Sequence, residues 1–206
     1  MPQTSRFWDK IARRYARRPV DDPAAYEAKL AKTAEYLTPD SEVLELACGT
    51  GTTALWHAPK VRHVLATDFS APMLEIARAR AAEQGVENVT FRQTAIEALE
   101  VAPASYDMVM AHSILHLVDD RQVVYALARA ALKPGGHFVS STVCLGRLSP
   151  MRLILVPGHA IGLLPQVRFL SADGLAAEIE AAGFEIVHRY RPKRLSAVFF
   201  VARKRP

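Results

Sequence analysis

From residue 41 onward the chain alternates short apolar runs with segments whose apolar residues recur at helical spacing. Glu42-Val43-Leu44-Glu45-Leu46-Ala47 reads as a buried strand, and residues 52–58 as a short helix. A second strand covers residues 62–67. The helix after it, residues 71–84, places Met73, Leu74, Ala77 and Ala81 on one stripe and is closed by Gly85. Strands follow at 88–92 and 106–111. A helix at 121–132 is stopped by Lys133-Pro134-Gly135-Gly136, and a fifth strand covers 137–142. Strands alternating with helices predict βαβ units, hence an α/β fold with a mostly parallel sheet covered on both faces.

Both ends break this rhythm. A helix at 171–182, ended by Gly183, leads into strands at 184–190 and 196–202 whose connection is too short for a crossover helix. These two strands are therefore expected to pair antiparallel. Near the N-terminus, Phe7, Trp8, Ile11 and Tyr15 share one helical face, opposite Arg6, Lys10, Arg13, Arg14 and Arg17. That helix stops at Pro19, and a second is expected over 23–37. The chain divides into an N-terminal helical segment, 1–38, acting as a lid, and a main domain, 39–206.

Composition narrows the class. Half of the 206 residues are hydrophobic and 23% are charged, as in an ordinary globular domain. No apolar run approaches the ~18–20 residues of a spanning helix, no signal peptide is visible, and two cysteines make no disulfide framework. The expectation is a cytoplasmic protein, monomer or homodimer. The net charge of +5 is unevenly spread. Residues 1–18 hold six basic residues against Asp9, residues 189–206 hold seven against none, and the body between them is net −7. That body argues against a broad nucleic-acid footprint but leaves basic ends for an anionic surface.

The chemistry-bearing motif is Glu45-Leu46-Ala47-Cys48-Gly49-Thr50-Gly51, a strand end, a glycine turn and a helix start. Its glycines permit positive φ and close approach of a ligand, and Asp68, 17 residues after Gly51, can accept hydrogen bonds from a ribose diol. Gly49 to Ala54 also fits a dinucleotide fingerprint. Three features favour S-adenosylmethionine instead: Glu45 inside the strand, the order of the strand at 106–111 and the Leu132-Lys133-Pro134-Gly135-Gly136 turn, and the lack of a Tyr-x-x-x-Lys pair. The histidines lack metal-ligand spacing, so no metal is expected.

On these residues the chain resembles the class I S-adenosylmethionine-dependent methyltransferases over roughly residues 35–203, and within them the small-molecule branch of the ubiquinone/menaquinone-biosynthesis type. The resemblance implies a Rossmann-like, doubly wound, seven-stranded sheet with the last strand inserted antiparallel. It implies that Glu45, Ala47, Cys48, Gly49 and Gly51 surround the methionine part of the cofactor and that Asp68 binds the ribose. Phe69 and Met73 would lie beside the adenine, Thr94, Ala95 and Ile96 would flank it, and Ala111 and His112 would lie near the methionine end. Two positions depart from the family's pattern: Ala47 stands where a first glycine is common, and Thr94 replaces an acid that binds the adenine amino group. Tyr15 is expected to close over the cofactor from the lid.

The acceptor is less legible, because an in-line methyl transfer needs alignment and water exclusion more than acid–base groups. His112 and His116 follow the fourth strand at the carboxyl edge of the sheet, where an imidazole can take a proton near neutral pH. His159 is a weaker candidate. The stretch 144–170 is an apolar insertion rich in Leu, Ile and Val, with Arg147, Arg152 and Arg168 interspersed. As a substrate cap it suits a small hydrophobic or aromatic acceptor and, with the basic ends, a peripheral membrane contact. The alternatives are an RNA or protein methyltransferase and a non-catalytic cofactor-binding regulatory partner.

Overall fold

A computed structural model describes residues 3–146, 149–192 and 197–206. Two helices, α1 (Gln3–Ala16) and α2 (Pro23–Ala34), precede the alternating body. The body runs β1 (Glu42–Leu46), α3 (Thr52–His57), β2 (His63–Asp68), α4 (Ala71–Glu83), β3 (Val89–Gln93), β4 (Tyr106–His112), α5 (Arg121–Ala131) and β5 (Leu132–Thr142). It ends with α6 (Arg152–Ala160), α7 (Ala172–Ala181), β6 (Phe184–Tyr190) and β7 (Val198–Lys204).

The strands form one sheet in the order β3-β2-β1-β4-β5-β7-β6. The pairs from β3 to β5 are parallel, whereas β7 runs antiparallel to both β5 and β6. Alternation along the strands divides the core. Leu44, Leu46, Val109 and Ala111 pack against Tyr125 and Ala128 of α5 and Leu175 and Ile179 of α7. Val43, Val64, Ala66, Met108 and Met110 face Ala54 of α3 and Leu74 of α4 on the other side. Each buried large side chain contributes ~1.5–3 kcal/mol, so both faces must be covered for the parallel sheet to hold. The helix starts are capped by Asp22, Ser70, Asp120 and Ser171, each side chain accepting from a backbone N–H of the first turn, worth about 1 kcal/mol apiece.

Three expectations need correction. The fifth strand begins at Leu132, not at residue 137: Leu132 pairs with Tyr106 and His137 with Met108, so residues 133–136 form an irregularity inside the strand. Leu132 is already extended (φ −72, ψ 136), and Asp107 draws the turn back by accepting from Lys133 Nζ (2.7 Å) while holding the Glu42 N–H (2.8 Å). The second helix stops at Ala34 because Tyr36 and Leu37 close tighter turns and pack on the sheet, the Tyr36 ring 4.6 Å from that of His137. The last strand starts at Val198; the notional start at Ser196 lies outside the described residues.

The N-terminal helix meets the body along the side that carries Asp9 and Ala12. Ala12, not the aromatic stripe, is its buried apolar residue, and Ser70 at the start of α4 donates to Asp9 Oδ1 at 2.6 Å. Trp8 and Tyr15, edge to face at 5.9 Å, are left overhanging the carboxyl edge of the sheet. The middle of the apolar insertion does not fold inward either: α6 has no buried residue, and Leu153, Ile154, Ile161 and Leu163 are 81%, 61%, 70% and 68% exposed. Arg147 and Leu148 of that stretch lie outside the described residues. Among the described residues no helix is long and apolar enough to cross a membrane.

Candidate active site

At the carboxyl edge of the sheet lies a cavity of about 1220 Å³, bounded by the ends of β1, β2, β4 and β5 and roofed by α1, α2 and their connection. One end is built by the turn after β1. Ala47 (φ +52), Gly49 (φ +55) and Gly51 (φ +75) bring the chain round in a left-handed conformation. A Cβ on Gly49 would meet only Tyr15 Cε1, at 3.9 Å, so this glycine keeps the cavity wall open. A Cβ on Gly51 would press on Ala77 at 2.9 Å and Phe91 at 3.1 Å. Gly51 therefore serves the packing of the turn against α4 and β3, and it does not line the cavity.

Asp68 ties this end together. One of its carboxylate oxygens accepts from Gly49 N and the other from Ser70 N, both at 2.9 Å. Burial raises its pKa above the ordinary carboxylate value, and the two N–H donors oppose that shift. A carboxylate offers about four lone-pair sites, so two remain for a ligand. Glu45, only 3% exposed, is pushed up to about 8 by burial and then by the nearby Asp68, with the Ala54 backbone opposing. Its Oε2 has no hydrogen-bond partner among the described residues. Burial likewise raises the Cys48 thiol well above its usual value, which leaves it protonated and inert beside the turn.

The other end is formed by His112 at the end of β4, Ser113, His116 and Leu117 after it, Ser141 on β5, Val143 just beyond it, Pro165 and Val167. Burial lowers both imidazoles to about 4, assisted at His112 by the Lys29 charge, so both are neutral at pH 7. His112 Nε2 and His116 Nδ1 lack partners among the described residues. The backbone of Arg168 donates to His116 O at 2.7 Å, which joins the insertion to this wall.

The fold thus brings Tyr15, Glu45, Ala47, Cys48, Gly49, Asp68, Phe69, Met73, His112 and His116 to one cavity. It does not bring Thr94, Ala95, Ile96, Ala111 or His159 there. The Thr94 N–H is spent on Asp68 O (3.0 Å), Ile96 packs on the core, and Ala111 points into the α5–α7 face of the sheet. His159 sits on α6 with Nδ1 3.3 Å from Leu164 O.

Sequence reasoning missed three wall residues. Arg80 of α4 donates to Thr50 O (3.2 Å), Thr50 Oγ1 (2.7 Å) and Ala16 O (2.8 Å), clamping the end of α1 to the turn. Lys29 of α2 donates to Ser141 Oγ at 3.2 Å, and Tyr26 shares a 3.1 Å hydrogen bond with Thr53 Oγ1. The only signal for Lys29 and Tyr26 was their shared helix, since their roles depend on where α2 crosses the sheet edge.

Residues 43–136 match a family model described as a methyltransferase domain. The strand order and the inserted antiparallel β7 are those that the resemblance to the class I, S-adenosylmethionine-dependent methyltransferases implied. Among named relatives, the chain is 34% identical over 152 residues to a ubiquinone biosynthesis O-methyltransferase of Paracidovorax citrulli, covering 70% of this chain and 63% of that protein. It is 30% identical over 166 residues to an arsenite methyltransferase of Halobacterium salinarum, covering 79% of this chain and 42% of that protein. The chain therefore spans less than two thirds of the length of these relatives. The solved structure of the YcgJ protein from Bacillus subtilis shares the fold, with a TM-score of 0.72 at 19% identity, 87% of this chain and 99% of that one.

The site fits the cofactor of that class. The orphaned Glu45 Oε2, the open face of Gly49 and the remaining acceptor capacity of Asp68 converge on the end where the turn meets β2.

Proposed function

We propose that the protein is an S-adenosylmethionine-dependent methyltransferase acting on a small, apolar or aromatic acceptor. One observation carries the reading: a single cavity joins the glycine turn and Asp68 to a pocket of neutral imidazoles and apolar side chains. Bound at the turn, S-adenosylmethionine supplies a methyl group on a positively charged sulfur that leaves as a neutral thioether. In this proposal Asp68 accepts from the ribose hydroxyls and Glu45 faces the ammonium of the methionine part. Phe69 and Met73 bound the adenine, and Thr94 fixes the edge of that subsite by holding Asp68 O. Residues 1–38 are the lid: Tyr15 covers Gly49, and α1 is latched by the Ser70–Asp9 and Arg80–Ala16 hydrogen bonds. His116, with His112 beside it, takes the acceptor's proton where the nucleophile must lose one.

The stretch 144–170 is in this reading the cap, and its exposed face supports a peripheral membrane contact. The sequence has no acidic residue between Asp120 and Asp173, and the same segment continues through Pro165 and Val167 into the cavity wall. Flotation with anionic vesicles at low salt is expected to carry the protein upward; a protein that stays at the bottom rejects the contact.

The function is tested by calorimetric titration with S-adenosylhomocysteine beside NAD, followed by a screen of aromatic acceptors. Binding of the former alone with turnover is expected. Binding without turnover on any acceptor, and a tight protein partner, would favour a regulatory role. Turnover confined to macromolecules and abolished by salt would favour RNA.

A further inference from the structure

Lys29 reaches into the acceptor end of the cavity from α2 and is half-buried there. Its recorded side-chain hydrogen bond is to a neutral hydroxyl, Ser141 Oγ, at 3.2 Å, and it forms no ion pair among the described residues. An ammonium has three donors, and taking it out of water without a counter-charge is costly. Burial accordingly lowers its pKa, with only the charge of Asp22 opposing. The other cations of the wall are engaged: Arg18 pairs with Asp21 at 2.9 Å, and Arg80 is committed to Thr50 and Ala16.

Position decides which ligand this charge faces. Ser141 lies on β5, and β4 separates β5 from β1. With neighbouring strands ~4.8 Å apart, the strand that carries Ser141 lies about 10 Å across the sheet from β1, which leads into the glycine turn. His112, at the end of β4, lies between the two.

Resting on the function proposed above, we propose that Lys29 is a specificity-determining residue and that the acceptor is an apolar or aromatic acid. The Lys29 ammonium, beside the Ser141 hydroxyl, holds the acceptor's carboxylate or an equivalent anionic oxygen. The apolar part then lies along Leu117, Val143 and Val167, and the nucleophile is directed toward His112 and the cofactor end. The anion supplies the counter-charge that the free protein withholds from Lys29. The same group chemistry exists on the cofactor's own amino-acid carboxylate, and the test separates the two sources.

The probes are 2-naphthoate and its neutral counterpart 2-naphthamide, titrated into the protein with and without saturating S-adenosylhomocysteine. Wild type is expected to bind the naphthoate at least about tenfold more tightly, as for a hydrogen-bonded charge. Lys29→Met is expected to erase that preference and Lys29→Arg to retain part of it. Affinity for S-adenosylhomocysteine is expected to stay within about twofold in both variants, because the sites are well separated. The Lys29→Met unfolding midpoint should not fall, since a half-buried charge is removed; if it does, the Arg variant carries the comparison. Equal affinity for the two probes in wild type, binding of neither, or a preference that survives Lys29→Met overturns the proposal. So does a matching loss of S-adenosylhomocysteine affinity, which would assign the anion to the cofactor. Failure of wild type to bind S-adenosylhomocysteine would instead reject the proposed function, since the probe comparison on ligand-free protein still reads Lys29.

Discussion

The two ends of the cavity are built in opposite ways. At the glycine turn the backbone does the work: Asp68 is gripped by two N–H groups, Cys48 N donates to Thr67 O, and Arg80 braces the outside. This end is organised before any ligand arrives, with Glu45 Oε2 the buried side-chain atom it leaves without a partner among the described residues. At the other end the polar groups come from side chains on α2, β4, β5 and the loop after β4, and His112 Nε2 and His116 Nδ1 have no partners among the described residues. A preformed end suits a ligand shared by a whole class of proteins. An end with unspent donors and acceptors suits a ligand particular to this one, because buried polar groups without partners reject whatever fails to satisfy them.

The contrast can be broken most sharply at the imidazoles. If His116 takes the acceptor's proton, His116→Ala is expected to lower kcat by ~10²–10⁴ with S-adenosylhomocysteine affinity unchanged. The pH–rate profile of wild type should then show its acid limb near the value of about 4 set by burial of the ring. An unchanged kcat on the natural acceptor would leave His116 as a wall residue.

Asp68→Ala acts on the preformed end and should do the reverse. Cofactor binding is expected to weaken by about 1.5–3 kcal/mol, roughly ten- to a hundredfold, through lost ribose contacts and a loosened turn. Calorimetry gives the affinity and thermal unfolding gives the share due to the turn; unaltered affinity would mean that the ribose lies elsewhere.

Both ends also act together on stability against pH. His57, His112 and His116 are buried with pKa values of about 3, 4 and 4, below the unfolded value of 6.5. Below pH 6.5 the unfolded chain binds more protons at these sites, so stability falls as pH drops toward 4. Glu45 has the opposite sign. Its folded pKa of about 8 exceeds the unfolded value of 4.5, so its contribution is full below about 4.5 and is lost as pH rises to about 8. Denaturant midpoints from pH 4 to 9 should therefore rise and then sag, and Glu45→Gln should remove the sag. A sag that persists in Glu45→Gln would place its source elsewhere.

Much of this molecule is legible along the chain because its determinants are local. Met73, Leu74, Ala77 and Ala81 mark the inner stripe of α4 and are its buried residues. Ser171 and Gly183 bracket α7, and the short link before β7 leaves antiparallel pairing as the way to join β6. The glycine turn and Asp68 belong to this legible part, since a tight turn and an acid at the next strand end are written in consecutive residues. The sequence by itself determined the sheet, its coverings and the preformed end of the cavity. Only the tertiary structure decided which side of α1 is buried, that Gly51 stands against Ala77 and Phe91 and does not line the cavity, that Thr94, Ala95, Ile96 and Ala111 do not line it either, and that α6 is left outside. It alone brought Lys29 to Ser141, 112 positions apart, and Arg80 to Ala16. The reason is physical: a local pattern fixes which face of an element is apolar, but which polar side chain meets which is set by how the elements cross, and that depends on the packing of the whole core at once.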